Sequence, residues 1–217
     1  MKYGAVVFDL DGTLLDTIGD IANAANRALA ARNIPGYSKD EYRIMVGHGL
    51  KHLIRTALKG FDPSLEADED LYLQTMEEYR RSPYRDTSFY PGIPEMLDSL
   101  TRMGVKMSIL SNKEDSLVQI ITDKLLKDWS FTVIQGRMDS YPAKPDPAAL
   151  LKIIGTMEEI PERTMYVGDS EVDVKTGRNA GVFSAGAAWG YREAELLEKE
   201  GADFVAGTPE ALIELFS

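Results

Sequence analysis

The 217-residue chain has no cysteine and only two histidines. A thiolate nucleophile, a disulfide framework and a thiolate zinc site are thereby excluded, and little is left for any zinc centre. Positive charge is scarce as well: 24 lysines and arginines face 35 aspartates and glutamates, for a formal net charge of -11. That balance argues against the broad cationic face needed to bind a nucleic-acid backbone. The short apolar stretch after Lys2 runs straight into acidic residues, so neither a signal peptide nor a membrane span fits, and a cytoplasmic location is expected. Also missing are the phosphate loop G-x-x-x-x-G-K-[ST], the dinucleotide fingerprint G-x-G-x-x-G and the esterase elbow G-x-S-x-G. No repeat or low-complexity segment replaces them.

What remains is the chemistry of oxygen and amine groups in an ordinary globular composition, 44% hydrophobic and 27% charged. The length suits one substantial core plus a smaller accessory domain. A small phosphorylated substrate is compatible with the acidic balance if positive charge is supplied locally, by a divalent metal and one or two basic side chains.

The most informative segment is Val6-Val7-Phe8-Asp9-Leu10-Asp11-Gly12-Thr13-Leu14-Leu15-Asp16-Thr17, which ends the apolar strand Ala5 to Phe8 with two carboxylates spaced i, i+2. In open parallel sheets ligands gather beyond the carboxyl ends of strands. Gly12 permits a tight turn, and Thr13 offers a hydroxyl for capping or phosphate contact. Alone, the segment also reads as an acidic turn after an edge strand. Against that stand three later segments carrying complementary groups: Ile109-Leu110-Ser111-Asn112, Ala143-Lys144-Pro145-Asp146-Pro147, and Tyr166-Val167-Gly168-Asp169-Ser170-Glu171-Val172-Asp173.

Between about Asp16 and Asp86 the pattern is helical and nothing reads as a strand. Ile21, Ala24, Ala25, Ala28 and Leu29 recur at helical spacing before Pro35-Gly36. Ser38 is a candidate cap for a helix to Val46; Leu50, Leu53, Ile54, Ala57 and Leu58 mark a third helix; a fourth is expected over Ala67 to Arg81. From Phe89 onward helices and strands alternate, with Pro91-Gly92 opening a helix to Met103. Strands are expected at Val105 to Leu110, Phe131 to Ile134, Thr164 to Val167, Val182 to Ala185 and Asp203 to Val205. Such alternation predicts a Rossmann-like α/β fold with a doubly wound parallel sheet. The helical block is then an insertion, giving a core over residues 1–15 and 88–217 and an inserted all-helical domain over 16–87.

Taken together, the four strand-end segments resemble the motifs of the haloacid dehalogenase-like hydrolase superfamily, most closely its phosphoglycolate phosphatase-like branch. In that family the insertion is a cap that opens and closes over the crevice. The resemblance implies a phosphatase in which Asp9 is the nucleophile, forming an aspartyl-phosphate. Asp11 protonates the leaving oxygen and then activates water. The dehalogenase and phosphonatase branches lack an aspartate at the position of Asp11, which disfavours their chemistries. Magnesium suits a crowd of aspartates with no soft ligand. By the resemblance its ligands are the Asp9 carboxylate, the Asp11 backbone carbonyl and the Asp169 carboxylate, with Asp173, Thr13 and Ser170 around them.

Ser111 and the Asn112 backbone amide are candidate donors to phosphoryl oxygens, although Ser111 alone also reads as a cap for a helix over Glu114 to Ile121. Lys144 is a candidate phosphate-binding cation whose flanking prolines restrict its loop, the alternative being a solvated surface lysine. The segment Met45 to Lys51 resembles the glycine-flanked loop that family caps present to substrate, which makes Gly47, His48 and Arg55 candidate substrate contacts. His52 reads as packing or surface. Trp189-Gly190-Tyr191-Arg192 reads as loop anchoring, and the sequence does not decide whether Tyr191 or Arg192 reaches the crevice. The expected partner is a small phosphorylated metabolite, phosphoglycolate by the resemblance, for a monomer or homodimer with no nucleic-acid or membrane partner. The competing readings are a phosphomutase of the β-phosphoglucomutase kind, a pyrophosphatase or nucleotidase, and a non-enzymatic phosphometabolite-binding regulator.

Overall fold

The computed structural model describes residues 2–65 and 68–216. In chain order the elements are β1 (Ala5–Phe8), β2 (Leu15–Asp16), α1 (Ile18–Ala30), α2 (Lys39–Met45), α3 (Leu50–Phe61), α4 (Glu69–Arg81), β3 (Ser88–Phe89), α5 (Ile93–Arg102) and β4 (Lys106–Glu114). They continue with α6 (Asp115–Leu125), β5 (Ile134–Arg137), α7 (Ala148–Thr156), β6 (Thr164–Gly168), α8 (Glu171–Ala180), β7 (Phe183–Ala187), α9 (Ala194–Lys199), β8 (Phe204–Ala206) and α10 (Pro209–Ile213). Two compact units result, Met1–Asp16 with Phe89–Ser217, and Thr17–Ser88. Among the described residues, no helix is long and apolar enough to cross a membrane.

The larger unit is a six-stranded sheet in the order β5-β4-β1-β6-β7-β8, with parallel pairing throughout. Residues alternate across a strand, so the apolar run of β1 feeds both faces of the sheet. Val6 and Phe8 pack with Ile93, Met96, Leu97 and Leu100 of α5 and with Val118 and Ile121 of α6. Ala5 and Val7 pack on the opposite face with Ala149, Leu150, Ile153 and Ile154 of α7. Helices therefore cover both faces, and the expected doubly wound α/β core is present. Pairing in register, Phe8 beside both Ile109 and Val167, brings the carboxyl ends of β1, β4 and β6 level with one another.

The sheet departs from expectation at one edge. Apolar content suggested a strand over Phe131 to Ile134, but the ladder to β4 pairs Ile109 with Ile134 and Leu110 with Gln135, so β5 lies later in the chain. An edge strand is defined by backbone pairing, and the polar Gln135 and Arg137 conceal it in the sequence. For the same reason β4 outruns its apolar stretch and continues through Ser111, Asn112 and Lys113 to Glu114, which pairs with Arg137.

The smaller unit is helical from α1 to α4. Ile21, Ala24, Ala25, Ala28 and Leu29 of α1 are buried, as are Leu71, Tyr72, Met76 and Tyr79 of α4. Ser38 caps α2 in a reciprocal box: the Glu41 N–H donates to Ser38 Oγ at 3.3 Å, and the Ser38 N–H donates to Glu41 Oε2 at 2.7 Å. For α4 the expected first residue, Ala67, lies outside the described residues. The cap there is Asp68, whose carboxylate accepts from the Leu71 N–H at 2.9 Å. Asp16, expected to open the helical stretch, lies instead in the two-stranded sheet formed by β2 and β3, where the chain leaves and re-enters the core.

Candidate active site

The loop after β1 is wound around one carbonyl. The N–H groups of Thr13, Leu14 and Leu15 all point to the Leu10 oxygen, at 3.4, 3.1 and 3.0 Å. Gly12 makes this possible with φ of 84°, a left-handed conformation that side chains disfavour. A β-carbon at Gly12 would also run into the Asp169 carboxylate. The loop thus presents Asp9 at the strand end and Asp11 two residues on, while Thr13 Oγ1 donates to Asp169 Oδ1 at 3.2 Å.

Lys144 arrives from the loop before α7 and is fixed at its backbone by Asn112. The Asn112 amide donates to the Lys144 carbonyl at 3.1 Å, and the Lys144 N–H donates to Asn112 Oδ1 at 2.9 Å. Its ammonium lies 2.6 Å from Asp173 Oδ1, 2.9 Å from the Tyr166 hydroxyl and 3.0 Å from Asp9 Oδ1. The last approach is an ion pair without hydrogen-bond alignment, so Asp9 Oδ1 is buried with no donor of its own. Burial pushes the ammonium of Lys144 toward neutrality, but the carboxylates of Asp173 and Asp9 prevail and raise its pKa well above the usual lysine value. Lys144 is therefore a buried cation, not a solvated surface lysine.

Asp173 lies in the first turn of α8, three residues after its cap Ser170, and is spoken for on both oxygens. Oδ1 faces Lys144, and Oδ2 accepts from the Ser170 hydroxyl at 2.5 Å and the Ser170 N–H at 3.2 Å. Asp169, just beyond β6, accepts from Thr13 on one oxygen and from the Tyr191 N–H, at 2.8 Å, on the other. The loop after β7 thereby joins the site. Trp189 Nε1 donates to the Thr13 carbonyl at 2.9 Å, Arg192 pairs with Glu171 at 3.1 Å, and a β-carbon on Gly190 would strike Asp169 and the Gly12 carbonyl.

Asp9, Asp169 and Asp173 bring carboxylate oxygens within 4.8 Å of one another. Burial, reinforced by the neighbouring carboxylates, lifts Asp9 to about 7 despite Lys144 and lifts Asp169 well above the usual range. Asp11 is placed otherwise: both its oxygens face the ammonium of Lys113, at 2.7 and 2.8 Å. With all four carboxylates ionised, the two ammoniums of Lys113 and Lys144 would leave two negative charges, which protons or a cation must balance. An all-oxygen donor set with that surplus and an orphaned Asp9 oxygen fits a hard divalent cation.

Ser111 lies in β4, and its Oγ accepts from the Lys113 N–H at 3.2 Å. The expectation that it caps the following helix is corrected, because α6 starts at Asp115 with Glu114 as its cap, the ladder to β5 holding the chain extended to that point. Ser111, Asn112 and Lys144 line one groove together with Gln135, Arg137 and Tyr141. Gly47, His48 and Arg55 belong to the helical unit, where His48 and Arg55 are exposed and the rings of His48 and His52 stand 4.8 Å apart. Three groups were not visible in the sequence: Lys113, the Tyr166 hydroxyl and the Tyr191 amide.

A family model of haloacid dehalogenase-like hydrolases matches residues 6–187, which takes in the carboxyl ends of β1, β4 and β6 and stops short of the loop from Trp189 to Arg192. The chain belongs to the haloacid dehalogenase-like hydrolases. Its relatives in the family include the phosphoglycolate phosphatase of Pseudomonas putida, 34% identical over 212 residues that span 96% of this chain and 78% of that one. The phosphoglycolate phosphatase of Aquifex aeolicus is 32% identical over 211 residues, 97% of this chain and 95% of that one. A haloacid dehalogenase-like hydrolase from Streptococcus pneumoniae shares the fold, with a TM-score of 0.87 at 22% identity over 100% of this chain and 99% of that one.

Proposed function

We propose that this hydrolase is a magnesium-dependent phosphatase acting on a small phosphorylated metabolite, phosphoglycolate, as the names of its relatives suggest. The observation that carries the reading is the division of labour between two carboxylates from one strand end. Asp9 sits in the acidic cluster beside Lys144, and Asp11 is paired with a different lysine, Lys113. Carboxylates held in unlike surroundings are how one site supplies both a nucleophile and a proton carrier.

In this reading an Asp9 oxygen attacks phosphorus and the ester P–O bond breaks, while the departing oxygen takes a proton from Asp11. Water then gives a proton to the Asp11 carboxylate as its oxygen attacks phosphorus, and the P–O bond to Asp9 breaks to release phosphate. Lys144 favours the ionised Asp9, and the Ser111 hydroxyl and the Asn112 backbone N–H donate to phosphoryl oxygens. Asp9, Asp169 and the Asp11 carbonyl would hold magnesium, supported by Asp173, Thr13 and Ser170. When bound, the ion supplies neutralisation of charge on the phosphoryl group. We assign the rest of the substrate to the helical unit as its cap, with Gly47, His48 and Arg55 meeting the carboxylate. A cytoplasmic location and a monomer or homodimer belong to the same proposal.

The test is a panel of phosphomonoesters with magnesium, ranked by kcat/KM. Phosphoglycolate should lead, and His48→Ala or Arg55→Ala should lower its value roughly ten- to a hundredfold, much more than for an uncharged aryl phosphate. A panel led by a sugar phosphate, nucleotide or pyrophosphate removes phosphoglycolate. Near-normal turnover by a folded Asp9→Asn protein removes the mechanism.

A further inference from the structure

Lys113 is a lysine whose side chain is only 5% exposed, although nothing about its sequence position marks it out. Burying an ammonium is costly unless it is paired, and here the ammonium is set against both oxygens of Asp11. Its base is equally constrained. The Lys113 N–H donates to Ser111 Oγ, and a β-carbon on Gly136 of β5 would stand 2.7 Å from the Lys113 carbonyl, so the two backbones touch. The ladder to β5 closes just beyond, at Glu114 and Arg137.

Asp11 stands on a tight loop beside the positive-φ Gly12, its backbone bridged to Leu15. A carboxylate there has a competing destination in the acidic cluster two residues away. The structure keeps it out: that cluster is made of Asp9, Asp169 and Asp173. A rigid strand, a buried stem and a two-oxygen contact make Lys113 a strut between β4 and the Asp11 carboxylate.

We propose that Lys113 is a positioning residue for the phosphoryl transfer, holding the Asp11 carboxylate on the side of the departing oxygen. The inference rests on the phosphatase reading and goes beyond it by giving Asp11 its orienting partner. A pair that served stability alone would affect every substrate alike. A pair that aims the proton carrier matters most when the departing oxygen most needs a proton.

The experiment measures kcat/KM with magnesium for aryl phosphates of graded leaving-group acidity and for a simple alkyl phosphate, using wild-type protein and Lys113→Met. Lys113→Met should lose about a hundredfold on the alkyl ester and no more than about threefold on dinitrophenyl phosphate, whose phenolate departs without a proton. In an Asp11→Asn background, adding Lys113→Met should cost the alkyl ester less than about twofold further, because both changes act on one step. Uniform loss along the series, no loss at all, or fully multiplicative losses in the double variant would overturn the inference. Should Lys113→Met fail to fold, Lys113→Gln, whose uncharged amide is one bond shorter and loses the ion pair to Asp11, enters the same series with the same expected ordering. Wild-type protein inactive on every ester removes the phosphatase reading and this inference with it, whereas an active wild type with a uniform Lys113→Met loss removes the inference alone.

Discussion

Thr13 and Asp169 stand 156 residues apart in the chain, and the Thr13 hydroxyl donates to the Asp169 carboxylate at 3.2 Å. Because the Tyr191 amide holds the other oxygen of Asp169, three loops from three strand ends fix one carboxylate. A cation ligand oriented in this way needs little rearrangement on binding, since partners around a metal ligand set its direction.

Magnesium should therefore raise the thermal unfolding midpoint of the wild-type protein. At a hundredfold excess over its dissociation constant the gain is about 2.7 kcal/mol. Asp169→Asn should abolish the magnesium-dependent shift, and Thr13→Val should reduce it, as read by calorimetry with and without the ion. An unchanged wild-type midpoint, or an Asp169→Asn protein that shifts as wild type does, would contradict the assignment of this cluster.

Without metal, the same cluster should make stability depend on pH in a fixed direction. Burial first, then Asp173 and Asp11, raise Asp9 from 3.8 to about 7 in the folded chain. Between those values the folded chain keeps a proton that the unfolded chain has lost, so stability falls as pH rises from about 4 to about 7 and this group adds nothing further above that. Asp9→Asn should accordingly stabilise the metal-free protein at pH 8, by an amount on the order of a few kcal/mol, and leave it little changed near pH 4. Urea unfolding at the two pH values measures the difference. Equal differences at both would show that Asp9 is not held neutral by its surroundings.

Two glycines give a paired prediction. Gly155 lies in α7 with nothing within 4 Å of an added β-carbon, so Gly155→Ala should stabilise by roughly 0.5 to 1 kcal/mol through the unfolded chain. Gly190→Ala would drive a methyl into Asp169 and the Gly12 carbonyl, and should cost roughly 1 to 3 kcal/mol while weakening the magnesium response. Similar urea midpoints for the two variants would refute the close approach at Gly190.

Much of this organisation was legible because the groups concerned interrupt apolar strands. Asp9 follows Phe8 and Asp169 follows Gly168, so charge appears where periodicity stops. Ser38 with Glu41 was equally readable, since a hydroxyl followed by a carboxylate three residues on is a local signal that needs no tertiary partner. Lys113 escaped notice because its burial depends on β4 continuing past its apolar stretch, and that continuation is secured by β5, an edge strand without an apolar signature. The Tyr191 amide was invisible for another reason. A backbone donor has no residue type, and only the fold reveals that it faces Asp169.

The central position of β1 also governs how the molecule is made. This strand precedes both of its neighbours, which begin at Lys106 and Thr164, and the helical unit that follows it is one continuous segment. As synthesis proceeds from the amino terminus, the helices of Thr17–Ser88 can form from local contacts while β1 waits with both edges open. The carboxylates of Asp9 and Asp169 meet only when β6 docks beside β1, so the site cannot be complete before Thr164–Gly168 has been made and the sheet has closed on that side of β1.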